Sequence, residues 1–495
     1  MAFKQAFNPY LPSYEYVPDG EPRIFGDRLY LYGSHDAFNG TDFCVNDYVC
    51  WSAPLDNLAD WRYEGVLYRA VQDPKNRRGH MHMNAPDVVQ GPDGRYYLYY
   101  QLHALACTCV AVCDTPAGHY EYYGCVEKNG KPLGNSKGDP YAFDPGVLVD
   151  ANGRIWLYVG FAAMSKVMRF LIGLRGSVAD GAYCVELAPD MKTVIGQPKR
   201  VLPGPEAAAG TSFAGHAFYE ASSPRRIGES YYLVYSSQLS HELCYAVGKN
   251  PDGPYTFGGT LVSIGDVGYQ GRIQPINYTG NTHGGMVQVN GQWYIFYHRQ
   301  TNRQKCARQG CAEKLTILPD GSIPQVEVTS CGLNPGPLAG HGTYEARIAC
   351  NLWSREGTFA YRATHEKDEK GIHPYFTQSG TDRETDGDQY IAGMTEGATA
   401  GFKYFALYRP CRIGVRVRTD VPGRLEVRLS PEQPPVACID VWPCIHWSDF
   451  CGTLAVPETG THALYFTYSG SGKLDFYSFT LYAGDDAGYD ASAKQ

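Results

Sequence analysis

The sequence predicts an all-β protein in two parts, a five-bladed β-propeller followed by a β-sandwich domain. Two observations carry this prediction. A four-residue phrase of aromatic and aliphatic residues recurs five times before residue 300, and beyond residue 325 the pattern changes to plain strand alternation. A repeat of near-constant period defines the fold, because each unit must bury its face on a neighbour. No long stretch shows a 3.6-residue apolar period, which disfavours helical and doubly wound folds.

Each copy of the phrase has the composition of a strand and follows a turn signal such as Asn-Gly or Asp-Gly. The copies are residues 29–32, 96–99, 155–158, 231–234 and 293–296. Blades of about four strands arranged radially cover each other's faces and leave only short edges. The five copies therefore predict five blades, and residues 1–325 are assigned to the propeller.

After residue 325 the repeat stops, and the Gly- and Pro-rich residues 332–342 indicate a connection. Ile413, Val415 and Val417 then share one face of a predicted strand whose other face carries arginines. Clean alternation with frequent turns favours a β-sandwich over residues 326–495.

Composition and charge exclude several classes of partner. The chain has 495 residues and a net charge of −8. It contains no long basic run, so nucleic acid and anionic membrane surfaces are not expected partners. No apolar run approaches the roughly 18 residues of a membrane-spanning helix. The N-terminus lacks the apolar core of a signal peptide, so we expect a cytoplasmic protein or one from which a leader has been removed.

The 16 cysteines are scattered singly through strand-like runs, where a free thiol behaves as a small apolar side chain. Cys107, Cys109 and Cys113 come closest to a ligand cluster, but nothing downstream offers the paired spacing of a zinc site. We therefore expect free thiols in a reducing compartment.

One polar residue precedes each aromatic phrase at nearly the same distance. These residues are Asp19, Asp87, Asp144, Glu220 and His283. Because equivalent positions in a ring of blades converge, we expect them at one mouth of the central channel. Two facing carboxylates are the minimum for hydrolysis of a glycosidic bond, since one protonates the leaving oxygen and the other activates water or attacks the sugar. A third carboxylate near the acid raises the pKa of that acid by repulsion.

Asp19, Asp144 and Glu220 are the three candidates for this chemistry. A single acid before a strand is most often a turn-capping residue. Three acids at matching offsets in three of five repeats are hard to explain by turns alone. Glu220 has aromatic neighbours, which should raise the pKa of its carboxyl by desolvation, so it is the natural acid.

Five segments, one per predicted blade and in the right order, resemble the signature blocks of glycoside hydrolase family 43. They are Pro-Asp-Gly-Glu-Pro at 18–22, Ala-Pro-Asp-Val at 85–88, Phe-Asp-Pro-Gly at 143–146, Phe-Tyr-Glu-Ala-Ser-Ser at 218–223 and Gly-Asn-Thr-His-Gly-Gly at 280–285. The resemblance covers about residues 8–325. It implies a five-bladed propeller and an inverting, exo-acting hydrolase with no cofactor required for chemistry. The implied substrates are arabinoxylan or arabinan oligosaccharides with terminal α-L-arabinofuranosyl units, with β-xylosyl units as the alternative.

The same resemblance implies roles for the three acids. Asp19 would be the general base, Glu220 the general acid, and Asp144 the residue that orients the acid and tunes its pKa. The first block departs from the family's usual Ala-Asp-Pro, which leaves Glu21 as an alternative base, although an ungapped alignment through residues 23–25 favours Asp19. Inversion needs room for a water molecule, so the base and acid carboxyls are expected about 6.5–9.5 Å apart.

Four further residues are candidates for contacts around this centre. The resemblance implies that His283 lies on the channel axis near a structural calcium or other hydrated ion; otherwise it is an ordinary structural histidine. Asp87 and Asp36 are expected either to contact the substrate or to cap their strands. Arg299 is a candidate contact to a sugar hydroxyl.

The C-terminal region resembles a family 6 carbohydrate-binding module in residues 388–392, 423–429 and 470–476. Trp442 and Trp447 are candidates for stacking on a sugar ring, with burial in the sandwich as the alternative, and such a domain also serves in some enzymes only as a brace. The competing function for the whole chain is a non-catalytic sugar-binding propeller. Acids at all three positions favour the enzyme.

Overall fold

A computed structural model describes residues 4–174, 176–363, 366–408 and 411–483. The first two thirds of these residues form five consecutive antiparallel sheets, each built from strands in chain order. Sheet 1 contains Glu21–Phe25, Arg28–Tyr32, Tyr48–Pro54 and Arg62–Tyr68; sheet 2 contains Asp87–Gln90, Tyr96–Gln101, Thr108–Cys113 and Glu121–Cys125. Sheet 3 contains Gly146–Val149, Ile155–Ala162, Asp180–Leu187 and Val194–Pro203; sheet 4 contains Phe218–Ile227, Ser230–Ser237, Glu242–Gly248 and Tyr255–Ser263. Sheet 5 has three strands, Met286–Val289, Gln292–Gln300 and Arg308–Leu315, and a small separate hairpin pairs Glu127–Lys128 with Lys131–Pro132.

The recurring aromatic phrase forms the second strand of every one of these sheets, as the repeat predicts. Its third residue is fully buried in all five copies, at Leu31, Leu98, Leu157, Leu233 and Ile295. The strand before it pairs antiparallel across the predicted tight turn. The hairpin of first and second strands is therefore the constant part of the repeat.

The contacts between neighbouring sheets close on themselves. The first strands of sheets 1 and 2, of sheets 2 and 3, and of sheets 3 and 4 contact each other, and the first strand of sheet 5 contacts that of sheet 1. Arg225 joins sheets 4 and 5, because its Nε donates to the carbonyl of Met286 at 2.6 Å. The five first strands are thus linked in a closed series.

Buried ion pairs hold these first strands together. Arg23 of sheet 1 binds both carboxylate oxygens of Asp87 in sheet 2, at 2.9 and 2.5 Å, and donates to the carbonyl of Val147 in sheet 3 at 3.0 Å. Asp87 also accepts the backbone N–H of Val147 at 2.7 Å. Glu21 of sheet 1 accepts a bond of 2.5 Å from Arg225 of sheet 4. Each buried charge has a partner of opposite sign, which its removal from water requires.

This network gives structural partners to two acids singled out in the sequence. Asp87 is buried and both of its oxygens are bound by sheets 1 and 3, and the substrate contact considered for it stays a prediction. Glu21, the alternative base, is likewise buried in the network, and Arg225 and Arg23 lower the pKa of its carboxyl against the opposing effect of burial. Both acids serve the packing of the first strands.

Two six-stranded sheets follow in the chain. Sheet 6 contains Leu338–Ala339, Asn351–Trp353, Thr399–Leu407, Gly423–Arg428, Ala437–Val441 and Gly460–Gly470. Sheet 7 contains Gly342–Glu345, Tyr375–Thr377, Tyr390–Met394, Arg412–Thr419, Cys444–Thr453 and Leu474–Tyr482. Phe402 and Phe466 of sheet 6 pack on Phe476 and Phe479 of sheet 7, with ring centroids 4.8 to 6.2 Å apart. The two sheets therefore share one apolar core.

The alternation predicted for the strand Arg412–Thr419 is confirmed, because Ile413, Val415 and Val417 are all buried in that core. Trp442, in contrast, is 62% exposed. Burial in the sandwich, the alternative for the two candidate tryptophans, is therefore wrong for this one.

Helices are few and short. Lys166–Leu174 lies between the second and third strands of sheet 3, and Pro205–Ala208 precedes sheet 4. Three single turns of 3-10 helix occur at Ala70–Gln72, Tyr269–Gly271 and Ala346–Ile348. Nine residues are too few to show a clear helical period in the sequence, which is why Lys166–Leu174 was not predicted. Among the residues described, no helix is both long and apolar enough to pass through a membrane.

The ion pair between Arg23 and Asp87 yields a prediction on stability. Asp87→Asn leaves the buried guanidinium of Arg23 without its full counter-charge, which we expect to lower the free energy of unfolding by about 3 kcal/mol or more. The thermal unfolding midpoint, followed by circular dichroism, measures the loss. Asp93→Asn is the matched control, since Asp93 pairs with Arg95 on an exposed turn of the same sheet and should cost under about 1 kcal/mol. Equal midpoints for the two variants would contradict the structural role of Asp87.

Candidate active site

Four of the five repeat-derived polar residues lie close together. Nδ1 of His283 lies 4.0 Å from Oδ1 of Asp19 and 3.7 Å from Oδ2 of Asp144. Glu220 is close enough for its charge to raise the pKa of Asp144. Asp19, Asp144 and His283 precede the first strands of sheets 1, 3 and 5, and Glu220 lies in that of sheet 4. The convergence expected from equivalent repeat positions is thus present for these four.

The backbone at the acids is unusual in the same way in three sheets. Asp19 has φ 57°, Asp144 has φ 46°, and Ala221, next to Glu220, has φ 71°. Aspartate tolerates this left-handed region better than most residues, whereas alanine rarely adopts it. The pairing register also shifts around Glu220, an irregularity that re-aims side chains next to active sites. Such local strain persists where the surroundings hold it, and it clusters at functional sites.

Arg308, on the third strand of sheet 5, controls the ionisation of Asp19. Its Nη1 donates to Oδ1 of Asp19 at 2.8 Å. Arg308, Asp19 and Asp36 are all buried. Its Nε and Nη2 form a two-pronged pair with Asp36 at 2.8 and 3.0 Å. Burial opposes ionisation of Asp19, but the charge of Arg308, together with smaller contributions from His298, His283 and Ser34, outweighs it and lowers the pKa of Asp19 to about 2. Asp19 is therefore ionised at neutral pH.

His298 holds the backbone of Asp19 in place. Its Nδ1 accepts the N–H of Asp19 at 3.2 Å, and its Nε2 lies 2.9 Å from the carbonyl of Asn281. Burial, and then the charge of Arg308, lower the pKa of His298 to about 3, so the ring is neutral and Nε2–H donates to Asn281. His298 is thus a positioning residue for Asp19.

The pKa values of the other two acids, Glu220 and Asp144, are raised, whereas that of Asp19 is lowered. Burial, and then the negative charge of Asp19, raise the pKa of Glu220 to about 8. Burial, and then the charges of Glu220 and Asp19, raise the pKa of Asp144 well above its usual range. At neutral pH the centre therefore combines one ionised carboxylate with a carboxyl that keeps its proton. This pairing of an ionised with a protonated group is what acid–base catalysis requires.

An aromatic edge lies beside Glu220. Tyr219 packs on Phe161 with ring centroids 5.3 Å apart, and Phe161 packs on Phe143 at 5.4 Å. Phe143 in turn stacks on Tyr141 at 6.1 Å. All four rings are half-buried. They account for part of the apolar setting of the acid, and half-buried aromatic rings suit stacking against a sugar ring. Tyr219 and Phe143 flank the acids in the sequence, whereas Phe161 gave no signal.

Asp36 does not contact the open part of the site. Its two oxygens bind Arg308, and Oδ1 also accepts the backbone N–H of Cys44 at 2.9 Å. The substrate contact expected as one of its two roles stays a prediction. Asp36 acts through Arg308, which makes it a positioning residue for the pair with Asp19.

Arg299 is bound to two backbone carbonyls, and the sugar contact predicted for it stays a prediction. Its Nη1 and Nη2 donate to the carbonyls of Ala349 at 2.8 Å and Arg347 at 2.6 Å. The guanidinium also lies over the ring of Phe376, 3.9 Å from the centroid. The residue is buried and fastens sheet 5 to the short segment between Gly342–Glu345 of sheet 7 and Asn351–Trp353 of sheet 6.

The donors around His283 do not form a compact metal site. Three groups of His, Cys, Asp or Glu in the described part of the chain have ligand atoms within 4.8 Å of one another, and none includes His283. Burial lowers the pKa of His283, so its ring is neutral. The ion expected near it remains a prediction.

Comparison with known proteins identifies relatives over almost the whole chain. The model of glycosyl hydrolases family 43 matches residues 17–323. A xylosidase/arabinosidase from Thermoclostridium stercorarium is 48% identical over 485 residues, covering 97% of this chain and 99% of the relative. An arabinoxylan arabinofuranohydrolase from Paenibacillus polymyxa is 26% identical, covering 94% of this chain and 72% of the relative. The crystal structure of a family 43 enzyme from Xanthomonas citri with xylose matches with a TM-score of 0.52 and 24% identity, over 64% of this chain and 91% of that one, which shows a common fold.

The Arg308 pair predicts how activity depends on pH. In Arg308→Met, Asp19 keeps its burial and loses the charge that lowers its pKa, so that pKa rises. Asp19 is then protonated at higher pH, and we expect the acid limb of kcat/KM to move up by about 1–3 pH units. The ratio of kcat/KM at pH 5 to that at pH 7, measured with a 4-nitrophenyl arabinofuranoside, should fall for Arg308→Met.

Arg308→Lys keeps the positive charge, so it should shift the acid limb of kcat/KM less than Arg308→Met does. Arg225→Met is the matched control, because it removes another buried arginine of the first-strand network that pairs with Glu21. An acid limb that moves equally in both methionine variants would refute the link between Arg308 and Asp19.

Proposed function

Because the chain belongs to glycosyl hydrolase family 43, it is a glycoside hydrolase, and we propose that it releases terminal pentose units from oligosaccharides with inversion of configuration. We place α-L-arabinofuranosyl units first and β-xylosyl units second. The relative that is 48% identical is named for both activities, and two further relatives are named for release of arabinofuranose from arabinoxylan. Arabinoxylan fragments are therefore the substrate class we favour.

The opposite ionisation of Asp19 and Glu220 carries the mechanism. Asp19 is negatively charged, so it can take a proton from a water molecule that attacks the anomeric carbon. Glu220 keeps its proton to about pH 8 and can give it to the leaving oxygen. Each turnover leaves Asp19 protonated and Glu220 ionised, and exchange with solvent resets both.

Asp144 acts on the acid and not on the sugar in this proposal. After burial, the charge of Glu220 is the largest cause that raises the pKa of Asp144, so these two neighbouring carboxyls keep a proton at neutral pH. Nδ1 of His283 lies 3.7 Å from Oδ2 of Asp144 and 4.0 Å from Oδ1 of Asp19, between the two acids.

We further propose that sheets 1 to 5 are the blades of a five-bladed propeller spanning residues 1–325, and that sheets 6 and 7 form a sandwich domain over 326–495. The closed series of contacts between first strands supports the ring, and the shared phenylalanine core supports the sandwich. The anchoring of Arg299 on Arg347 and Ala349 favours a brace for the propeller. The exposure of Trp442 keeps a sugar-binding role of the family 6 type open to test.

The acid and base roles predict different dependence on the leaving group. Glu220→Gln removes the proton donor, so we expect kcat on a natural disaccharide to fall about 10²–10⁴-fold. Loss on a 2,4-dinitrophenyl glycoside should be much smaller, because that leaving group departs without protonation. Asp19→Asn should be defective on both substrates, since water must be activated in either case. Release of the aryl alcohol and of free pentose are the measurements.

Glu21→Gln is the control for the base, and it should lose stability without this pattern of rates. Equal rates for wild type and Glu220→Gln on the disaccharide would overturn the assignment of the acid. A loss that depends on the leaving group in Asp19→Asn would reverse the two roles.

The charge states also predict a pH limit and a product. Activity should fall as pH rises through about 8, because the raised pKa of Glu220 is where the acid loses its proton. Proton NMR during hydrolysis of an α-L-arabinofuranoside should show β-arabinofuranose first, followed by mutarotation. Initial appearance of the α-anomer would indicate retention and would contradict the proposed use of water by Asp19.

A further inference from the structure

Three cysteine sulfurs meet on sheet 2, away from the first strands that carry the candidate active site. Cys109 lies on the third strand, Cys125 ends the fourth, and Cys107 immediately precedes the third. Their Sγ atoms all lie within 4.8 Å of one another. The sequence had grouped Cys113 with the first two, but the Sγ of Cys113 instead lies 3.8 Å from Oγ1 of Thr115. The third member could not be predicted because it comes from a neighbouring strand.

Two of these cysteines are placed for a disulfide bond. Cys109 and Cys125 are direct partners in the antiparallel register, and their Sγ atoms are 3.2 Å apart. Directly opposed residues of antiparallel strands have Cα atoms about 4.5–5.5 Å apart, inside the range that disulfides span. Closing the sulfur separation to about 2.0 Å requires only a small shift of the side chains.

Cys125 has the surroundings of a reactive thiol. Nζ of Lys75 lies 2.9 Å from its Sγ and 2.8 Å from the hydroxyl of Tyr122. Hydrogen bonds from Cys107 and Cys109, and then from Lys75, lower the pKa of Cys125 to about 2. A neighbouring ammonium favours the thiolate, which is the nucleophilic form. Cys125 is also partly exposed, whereas Cys107 and Cys109 are buried, so it is the sulfur that a reagent reaches first.

We propose that Cys125 reacts with small disulfides and then forms a disulfide bond with Cys109. The Cys125 thiolate attacks one sulfur of the reagent, which makes a mixed disulfide and releases one equivalent of thiol. Cys109 then loses its proton and attacks Sγ of Cys125, and the second equivalent of thiol leaves. Two electrons pass from the protein to the reagent, and Cys107 remains a thiol.

A thiophilic metal ion is the competing occupant of this cluster, since three thiolates can bind such an ion. The ammonium of Lys75 is in direct contact with Cys125 and would repel an incoming cation. The contact with Lys75 also stabilises the thiolate of Cys125, which is the form that reacts with a disulfide. The position of Lys75 therefore favours the redox reaction over metal binding.

Mass spectrometry after exposure of the reduced, full-length protein to oxidised glutathione tests the proposal. We expect a loss of two hydrogen masses and, after digestion without reduction, a peptide that links Cys109 to Cys125. Cys107→Ser should give the same link, and Cys109→Ser should stop at the mixed glutathione disulfide on Cys125. A link through Cys107, no reaction at Cys125, or reduced protein that retains stoichiometric zinc through these thiols would each overturn it.

The role of Lys75 has its own readout. In wild type the rate of reaction with oxidised glutathione should change little between pH 6 and pH 8, because Cys125 is already a thiolate. In Lys75→Met the pKa of Cys125 should rise, so the rate at pH 6 should fall about tenfold while the rate at pH 8 falls less. Lys75→Arg should restore the wild-type profile. Parallel profiles for wild type and Lys75→Met would show that Lys75 does not activate the thiol.

Discussion

Arg308 reaches from sheet 5 to Asp19 at the start of sheet 1, and its charge keeps that buried carboxylate ionised. Without such a partner, burial would leave Asp19 protonated, and the centre would contain three protonated acids and no base. Once Asp19 is charged, its field helps to raise the pKa of Glu220. The ion pair therefore acts on both groups, because it favours the charge on Asp19 and that charge adds to the effect of burial on Glu220.

That ion pair depends in turn on the closure of the sheets. Arg308 belongs to the last of the five sheets and Asp19 to the first, and they meet because the first strand of sheet 5 contacts that of sheet 1. Asp36, also from sheet 1, binds the same guanidinium through two bonds and fixes its orientation. The buried pair of Arg23 with Asp87 holds sheets 1 and 2 in the same arrangement. The electrostatics of the centre are thus a property of the whole ring of contacts.

The sequence predicted the repeat, the all-β class and the convergence of Asp19, Asp144, Glu220 and His283. The period of the aromatic phrase and the distance from each polar residue to its phrase can both be read from the sequence, and equivalent positions lie close together when the first strands form a closed series. It could not predict Arg308, which comes from a third strand that carries no repeated phrase. For the same reason the thiol partner Cys125 was missed. Contacts of this kind depend on which strands become neighbours, and the spacing of residues along one strand cannot predict which strands these will be.

Asp19 and Asp87 show why a shared offset does not determine a shared role. Asp19 precedes a first strand and Asp87 begins one, both are buried, and each is paired with an arginine. Arg23 and the N–H of Val147 occupy both oxygens of Asp87, so its carboxylate is fully committed to holding strands. Arg308 bonds to Oδ1 of Asp19, and the backbone of that residue is held separately by His298. A carboxylate that must accept a proton needs a charge-stabilising partner that does not take both oxygens, and the geometry around Asp19 meets that condition.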